Sequence, residues 1–354
     1  MKKLNILLLS AASLLAGGIT TSCRDDFLDI VPANNYTIET FYSSDDAVMK
    51  ATEPLYGYAW FNYNYRAMIG MGSVRANDGW NPYLNPEFST FQVTGLSPEV
   101  QNAWESFYTV VTMSNQLMSD INNYCTDDVS LEVKNLALGE AHLMRGVAYF
   151  YLVRSWGDAI IIEDNEAVVK NPVQPLAPEE DVLKFAVNDF RKAVDLLPVG
   201  SKNNHATKTV AKAFLAKALL AQSGWNKRER DIETLDEVDT LCAQVLADDR
   251  YGLMENYEDL FTYENNNFTM QNKETLLAMR FGDPLTADWL EKSACFSDLA
   301  WSGSSDITCW GGIYASVDML DLFNEDTNDV KRFHATWCSP GAYYSYWDTG
   351  NDLV

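Results

Sequence analysis

Leu143-Met144-Arg145-Gly146-Val147-Ala148-Tyr149-Phe150-Tyr151-Leu152-Val153-Arg154-Ser155-Trp156-Gly157-Asp158 is the stretch on which the fold turns. It closes a run starting at Leu131 in which Leu136, Leu143, Val147, Phe150 and Val153 share one broad apolar stripe. That spacing predicts an amphipathic helix. Gly157 stops it, because glycine readily takes the backbone conformations that end a helix. Ala159-Ile160-Ile161-Ile162 then reads as a short extended run. Arg145 sits inside the apolar helix, where a structural ion pair or bonds to loop carbonyls are expected rather than a ligand. His142, on the same helix, reads as a satisfied core or boundary histidine.

Further helices follow on both sides. Ser43 and Ser44 can cap a helix over residues 45–58, with Asp45 and Asp46 in its first turn. Pro98-Glu99 opens a long one towards Tyr124, and Pro178-Glu179-Glu180 opens another that ends at Leu196-Leu197-Pro198. Residues 207–223 are rich in alanine and residues 235–246 are polar on one side. Alanine faces let helices approach closely, as in stacked tetratricopeptide-like hairpins, although no strict repeat is present. The fold class is therefore mainly α: tetratricopeptide-like helix pairs forming an α-α superhelix, with long ordered loops and a smaller irregular region. Trp104 and Trp156 lie on helical stripes and read as core.

Two regions break the helical pattern. Residues 62–97 are dominated by Gly, Pro, Asn and aromatics and read as a long ordered loop, a type that is usually functional inside a compact domain. After residue 250, Thr275-Leu276-Leu277-Ala278-Met279-Arg280-Phe281 reads as a short strand, residues 282–316 as loop, and residues 317–323 as helix. The last stretch, residues 333–354, is aromatic and has no closing element.

Composition narrows the function. The 354 residues carry 50 acidic against 26 basic side chains, a net charge of −24, with 47% hydrophobic and 12% aromatic residues. That apolar content excludes a disordered tail, and the acidic balance excludes a nucleic-acid groove or a polybasic membrane surface. Lys2 and Lys3, an apolar run to Ile19 and Thr20-Thr21-Ser22-Cys23 form a secretory signal too short to span a membrane. Ending in Ser-Cys, it has the form of a lipoprotein signal, with Cys23 acylated; plain cleavage nearby is the alternative. Removal of residues 1–22 takes two lysines and no acid, leaving −26. The five remaining cysteines, with no C-x-x-C pair, fit neither a zinc site nor a full disulfide framework. Cys242 reads as a small buried hydrophobe, and a Cys295–Cys309 bridge stays open.

Several separate stretches together resemble the RagB/SusD family of outer-membrane lipoproteins of Bacteroidetes. Cys23-Arg24-Asp25-Asp26-Phe27-Leu28-Asp29 is similar to its mature start, and Leu143 to Asp158 to its most typical helix and turn. Ala211 to Ala221, Tyr251-Gly252-Leu253 with Tyr257 and Leu260-Phe261, and Glu274 to Phe281 follow in the family's order. So does Asp318-Met319-Leu320-Asp321-Leu322-Phe323 with Asp329 and Arg332. The resemblance implies a lipid-anchored, surface-exposed protein of the cell outer membrane, built on tetratricopeptide-like helices. Such a protein binds an oligosaccharide or other nutrient and sits as a lid on a SusC-like TonB-dependent transporter. It implies three parts: a signal at 1–22, a helical domain at 23–250 and the start of a C-terminal region at 251–354. The family's further long helix and aromatic-rich end have no counterpart, so the chain reads as truncated.

Sugar rings present apolar C–H faces flanked by hydroxyls, which aromatic faces and neighbouring amides or carboxylates can grip. Two stretches offer that mix. The first holds Tyr65, Arg66, Asn77, Asp78, Trp80, Asn81 and Tyr83; the second holds Trp301, Asp306, Trp310 and Tyr314. Trp80 leads, because Asn77, Asp78 and Asn81 surround it in place of the apolar neighbours of a core tryptophan.

A glycoside hydrolase and a purely structural or adhesion lipoprotein are the rivals. Fifty acids always allow some carboxylate pair, but only three histidines are present and no H-E-x-x-H, G-x-S-x-G or phosphate-binding glycine loop occurs. No cofactor and no nucleic acid is expected. The acidic Asn324 to Asp329 stretch lacks the Gly and closing Glu of an EF-hand, leaving a structural calcium ion open.

Overall fold

The computed structural model describes residues 37–81, 86–200, 205–262, 265, 272–279, 313–325 and 330–337. The signal, Cys23, Tyr83, Trp301, Trp310, Cys295, Cys309 and Cys338 lie outside the described residues, as do residues 326–329 of the acidic stretch.

The architecture is mainly α, with tetratricopeptide-like helix pairs. Short helices α1 (Ile38–Phe41) and α2 (Asp45–Thr52) lead through 3-10 turns into an irregular helical stretch, strand β1 (Gly79–Trp80) and α3 (Pro86–Ser89). Then come α4 (Pro98–Tyr124), α5 (Leu131–Trp156), α6 (Asn165–Lys170), α7 (Glu179–Leu196), α8 (Lys208–Gly224) and α9 (Ile232–Leu246). Strand β2 (Tyr314–Ala315), α10 (Val317–Glu325) and α11 (Val330–Thr336) follow. Serine, threonine or aspartate side chains cap the starts of α2, α5, α8 and α9, accepting backbone N–H groups that would otherwise lack partners.

The long helices run up and down in chain order. Trp104 meets Trp156 (5.3 Å between rings) while Phe107 stacks on Tyr151 (5.5 Å), so α4 and α5 are antiparallel. The approach of α7 to α5 depends on two glycines. A Cβ on Gly139 would lie 2.8 Å from Leu197, and one on Gly146 would lie 2.8 Å from Phe190. Phe190 in turn stacks on Phe214 of α8 (5.8 Å), and Thr209 at the start of α8 donates to Asp248 just beyond α9 (2.6 Å).

Two polar networks bind the layers internally. Arg145 does form the expected ion pair: its guanidinium grips both oxygens of Asp189 on α7 at 2.8 Å and donates to Asn115 on α4 at 2.6 Å. His142 shares the same carboxylate at 2.8 Å. Burial raises the Asp189 pKa, but the hydrogen bonds from Arg145 and His142 outweigh it and hold the group below the ordinary carboxylate value. Glu140, fully buried, accepts from the Tyr56 hydroxyl, bonds His205 Nδ1 at 2.8 Å and accepts the Ala206 N–H at 3.0 Å. These contacts tie α5 to the segment before α8.

Three local expectations are corrected. Residues 62–76 are not loop: they form helical turns, with wide π-helical stretches at Tyr63–Ala67 and Gly70–Val74. Burial of Trp60, Phe61, Ala67, Ile69 and Val74 overrides the weak local propensity of this aromatic and glycine-rich sequence. Residues 275–279 form no strand, having no strand partner among the described residues. Cys242 is exposed rather than buried, because α9 buries Val238 and Leu241 and, among the described residues, nothing covers position 242.

Candidate functional site

The irregular helical stretch ends at Ala76, and Asn77 then takes a left-handed backbone conformation (φ 64°) that turns the chain out of it. Asparagine tolerates that conformation better than most residues. Asp78 N–H donates to Ser73 O (3.2 Å), closing the turn and aiming β1 away from the helix.

β1 pairs antiparallel with β2 in a fixed register, Gly79 opposite Ala315 and Trp80 opposite Tyr314. Ser316 N–H extends the pairing to Asp78 O (3.2 Å). Gly79 leaves room for Ile313: a Cβ there would stand 2.6 Å from Ile313 Cδ1, so that side chain would have to shift. Asn77 Nδ2 donates to Asp318 Oδ2 at 2.7 Å, so the start of α10 is bonded to the turn that presents Trp80. Ser316 Oγ caps α10 by accepting the Met319 N–H at 3.0 Å.

The result is an exposed pair of aromatic rings. Trp80 is 51% exposed and Tyr314 44% exposed, with ring centroids 6.2 Å apart and planes tilted by 48°. Two residues before Trp80, Asp78 Oδ1 is buried with no hydrogen-bond partner among the described residues. Two exposed apolar faces of this kind can take the C–H face of a sugar.

The residues picked from the sequence divide accordingly. Trp80, Asp78 and Tyr314 come together from the two stretches. Asn81 does not stand on this surface: it is only 2% exposed, and its backbone carbonyl accepts from Ser89 Oγ at 3.2 Å. Tyr65 and Arg66 form a separate stack on the π-helical turn. Tyr65 lies parallel to Phe61 (5.7 Å), with the Arg66 guanidinium 4.6 Å over its ring. Tyr83, Trp301 and Trp310 fall outside the described residues. Sequence reasoning missed the bonding role of Asp318 and the packing of Ile313 under Gly79; only the Asn-Asp-Gly turn signal at 77–79 hinted at a tight presentation.

No group of three or more His, Cys, Asp or Glu side chains among the described residues could hold a metal ion. Among them, too, no helix is long and apolar enough to cross a membrane.

Comparison with known proteins places these features. A family model described as "Starch-binding associating with outer membrane" matches residues 26–220. A SusD-like protein of Bacteroides ovatus is 45% identical over 328 residues, 92% of this chain and 59% of the relative. A crystal structure with xylogluco-oligosaccharide is 42% identical, with a TM-score of 0.79 over 87% of this chain and 61% of that one. A SusD homologue from Bacteroides thetaiotaomicron shares the fold at 19% identity, with a TM-score of 0.68 over 83% of this chain and 58% of that one. The chain thus spans about three fifths of the length of these relatives.

Proposed function

The chain belongs to the SusD-like family, and from that premise we propose that it is a glycan-binding lipoprotein of the cell surface that delivers oligosaccharide to a SusC-like TonB-dependent transporter. The observation that carries this reading is the exposed Trp80–Tyr314 pair, held in register by β1 and β2. The relative solved with xylogluco-oligosaccharide makes that ligand the first to try.

The chemistry is binding without bond cleavage. A polysaccharide panel in affinity gels, read together with released reducing ends, tests this. Retardation without hydrolysis supports a binder, product release a hydrolase, and neither an adhesion role.

Anchoring and partnership complete the proposal. Cys23 carries the acyl chains that hold the protein at the outer membrane; Cys23→Ala then removes fatty-acid labelling and releases the protein from the membrane fraction. Delivery requires a stable contact with the transporter, so the two should co-purify from detergent extracts. Isolation of the lipoprotein alone would contradict the delivery role.

A further inference from the structure

A second surface departs from the character of the whole molecule. An open groove of about 520 Å³ lies between the C-terminal ends of α5 and α8 and the turn that follows α8. Phe150 and Arg154 line it from α5, Lys217 and Leu220 from α8, and Trp225 and Arg230 from the turn. In a chain with 50 acids and 26 bases, this groove is lined by three cations and no carboxylate.

The cations are arranged around aromatic surface. The Arg154 guanidinium lies 5.3 Å from the Phe150 ring. Arg230 is fixed by bonds from Nη1 to Leu220 O (3.0 Å) and Ser223 Oγ (3.1 Å). Arg154 and Lys217 have no carboxylate partner among the described residues. The nearby acid, Glu179, accepts from Asn226 and is not in the lining. Trp225 keeps a buried indole N–H with no acceptor among the described residues.

Helix dipoles explain part of this. Arg230 and Arg154 lie where cations offset the carbonyl ends of α8 and α5. That effect fades within the last turn, and Lys217 stands further back along α8, so the groove holds more positive charge than capping requires. A cleft with walls of one sign concentrates its field on an incoming counter-charge.

We propose that this groove is a second saccharide site, separate from the Trp80–Tyr314 pair, which takes the carboxylate-bearing rings of an acidic, uronate-containing oligosaccharide. Arg154 and Lys217 meet the carboxylates, while the half-buried Trp225 and the exposed Leu220 offer apolar surface to the ring C–H groups. The size suits an oligosaccharide, and the open, mixed lining lacks the closed apolar channel an acyl chain would need.

The test uses the full chain and trigalacturonate in calorimetric titration, with xylogluco-oligosaccharide and phosphatidylglycerol vesicles as comparison ligands. Trigalacturonate should bind, and Lys217→Gln or Arg154→Gln should each weaken it about threefold or more, the pair about tenfold. Raising salt from about 50 to about 500 mM should weaken it too, since exposed charges are screened. Trp80→Ala should leave it unchanged, which separates this site from the one under Proposed function. Both groove residues are exposed, and circular dichroism checks that the variants fold. No trigalacturonate binding, binding indifferent to both substitutions, or loss with Trp80→Ala would overturn the proposal. Preferential binding of the vesicles would overturn it in favour of a lipid headgroup.

Discussion

Trp80 and Tyr314 stand opposite one another across a two-residue antiparallel pairing, 6.2 Å between ring centroids, although most of the chain separates them in sequence. Each is about half exposed, and neither ring is covered by the helical core. The backbone beneath them is held on both sides: Ile313 fills the space over Gly79, and Asp318 accepts from Asn77. The pair is therefore a rigid surface feature, the state in which a binding group loses least entropy on meeting its ligand.

Trp80→Ala is expected to weaken oligosaccharide binding about five- to thirtyfold, through loss of roughly 1–2 kcal/mol of ring contact. The melting temperature should not change, because the side chain is half exposed. Calorimetric titration and a thermal scan check both, and unaltered affinity would remove Trp80 from the site.

Asn77→Gly keeps the left-handed turn accessible but removes the amide that reaches Asp318, and Asp318→Ala removes the acceptor. Each should weaken glycan binding about threefold to tenfold, the range for one partly exposed hydrogen bond. Since both changes break one contact, the double variant should be no worse than either single one. Additive losses in that cycle would show that the two residues act separately.

Asp189→Ala leaves the Arg145 guanidinium buried and unpaired, at a cost of about 3–5 kcal/mol. The native carboxylate also titrates below its ordinary value. Its contribution is complete above the unfolded pKa of about 4 and is lost as pH falls through the lower folded value. Urea midpoints measured as pH is lowered should therefore fall below about pH 4 in the native chain. Replacing Arg145 and Asp189 together with apolar residues should flatten that acid limb; an unchanged limb would assign it to other carboxylates.

Gly146→Ala places a methyl 2.8 Å from the Phe190 ring and 3.3 Å from Ala186 O. The overpacking should cost about 1–3 kcal/mol. Gly72→Ala is the control: a Cβ there meets nothing within 4 Å, so it should be neutral or stabilising by up to about 1 kcal/mol. Equal melting temperatures for the two variants would mean that α5 and α7 can separate without penalty.

Much of the helical scaffold is legible in the linear pattern. Leu131–Trp156 carries its cap at Ser130, its apolar positions and its stop at Gly157 within one continuous run, and Pro98 and Pro178 mark two other starts. Such signals are local, depending on residues three or four apart, so order and spacing suffice to read them and to support the family resemblance. The aromatic helical stretch over residues 62–76 is not legible, because its stability comes from partners on α4, as where Tyr63 meets Phe107 at 4.8 Å. Cys242 is misread for the complementary reason: an apolar neighbourhood in sequence does not say whether another layer covers it.

By itself, then, the sequence determined a mainly α chain, the boundaries of its long helices to within a few residues, and the positions of two aromatic-rich stretches. Only the tertiary structure decided that Trp80 and Tyr314 share one surface while Asn81 is buried, and that Arg154, Lys217 and Arg230 converge on one groove. Helix periodicity is a short-range property written into neighbouring residues. The meeting of distant side chains depends on how layers close over the core, which no local pattern encodes.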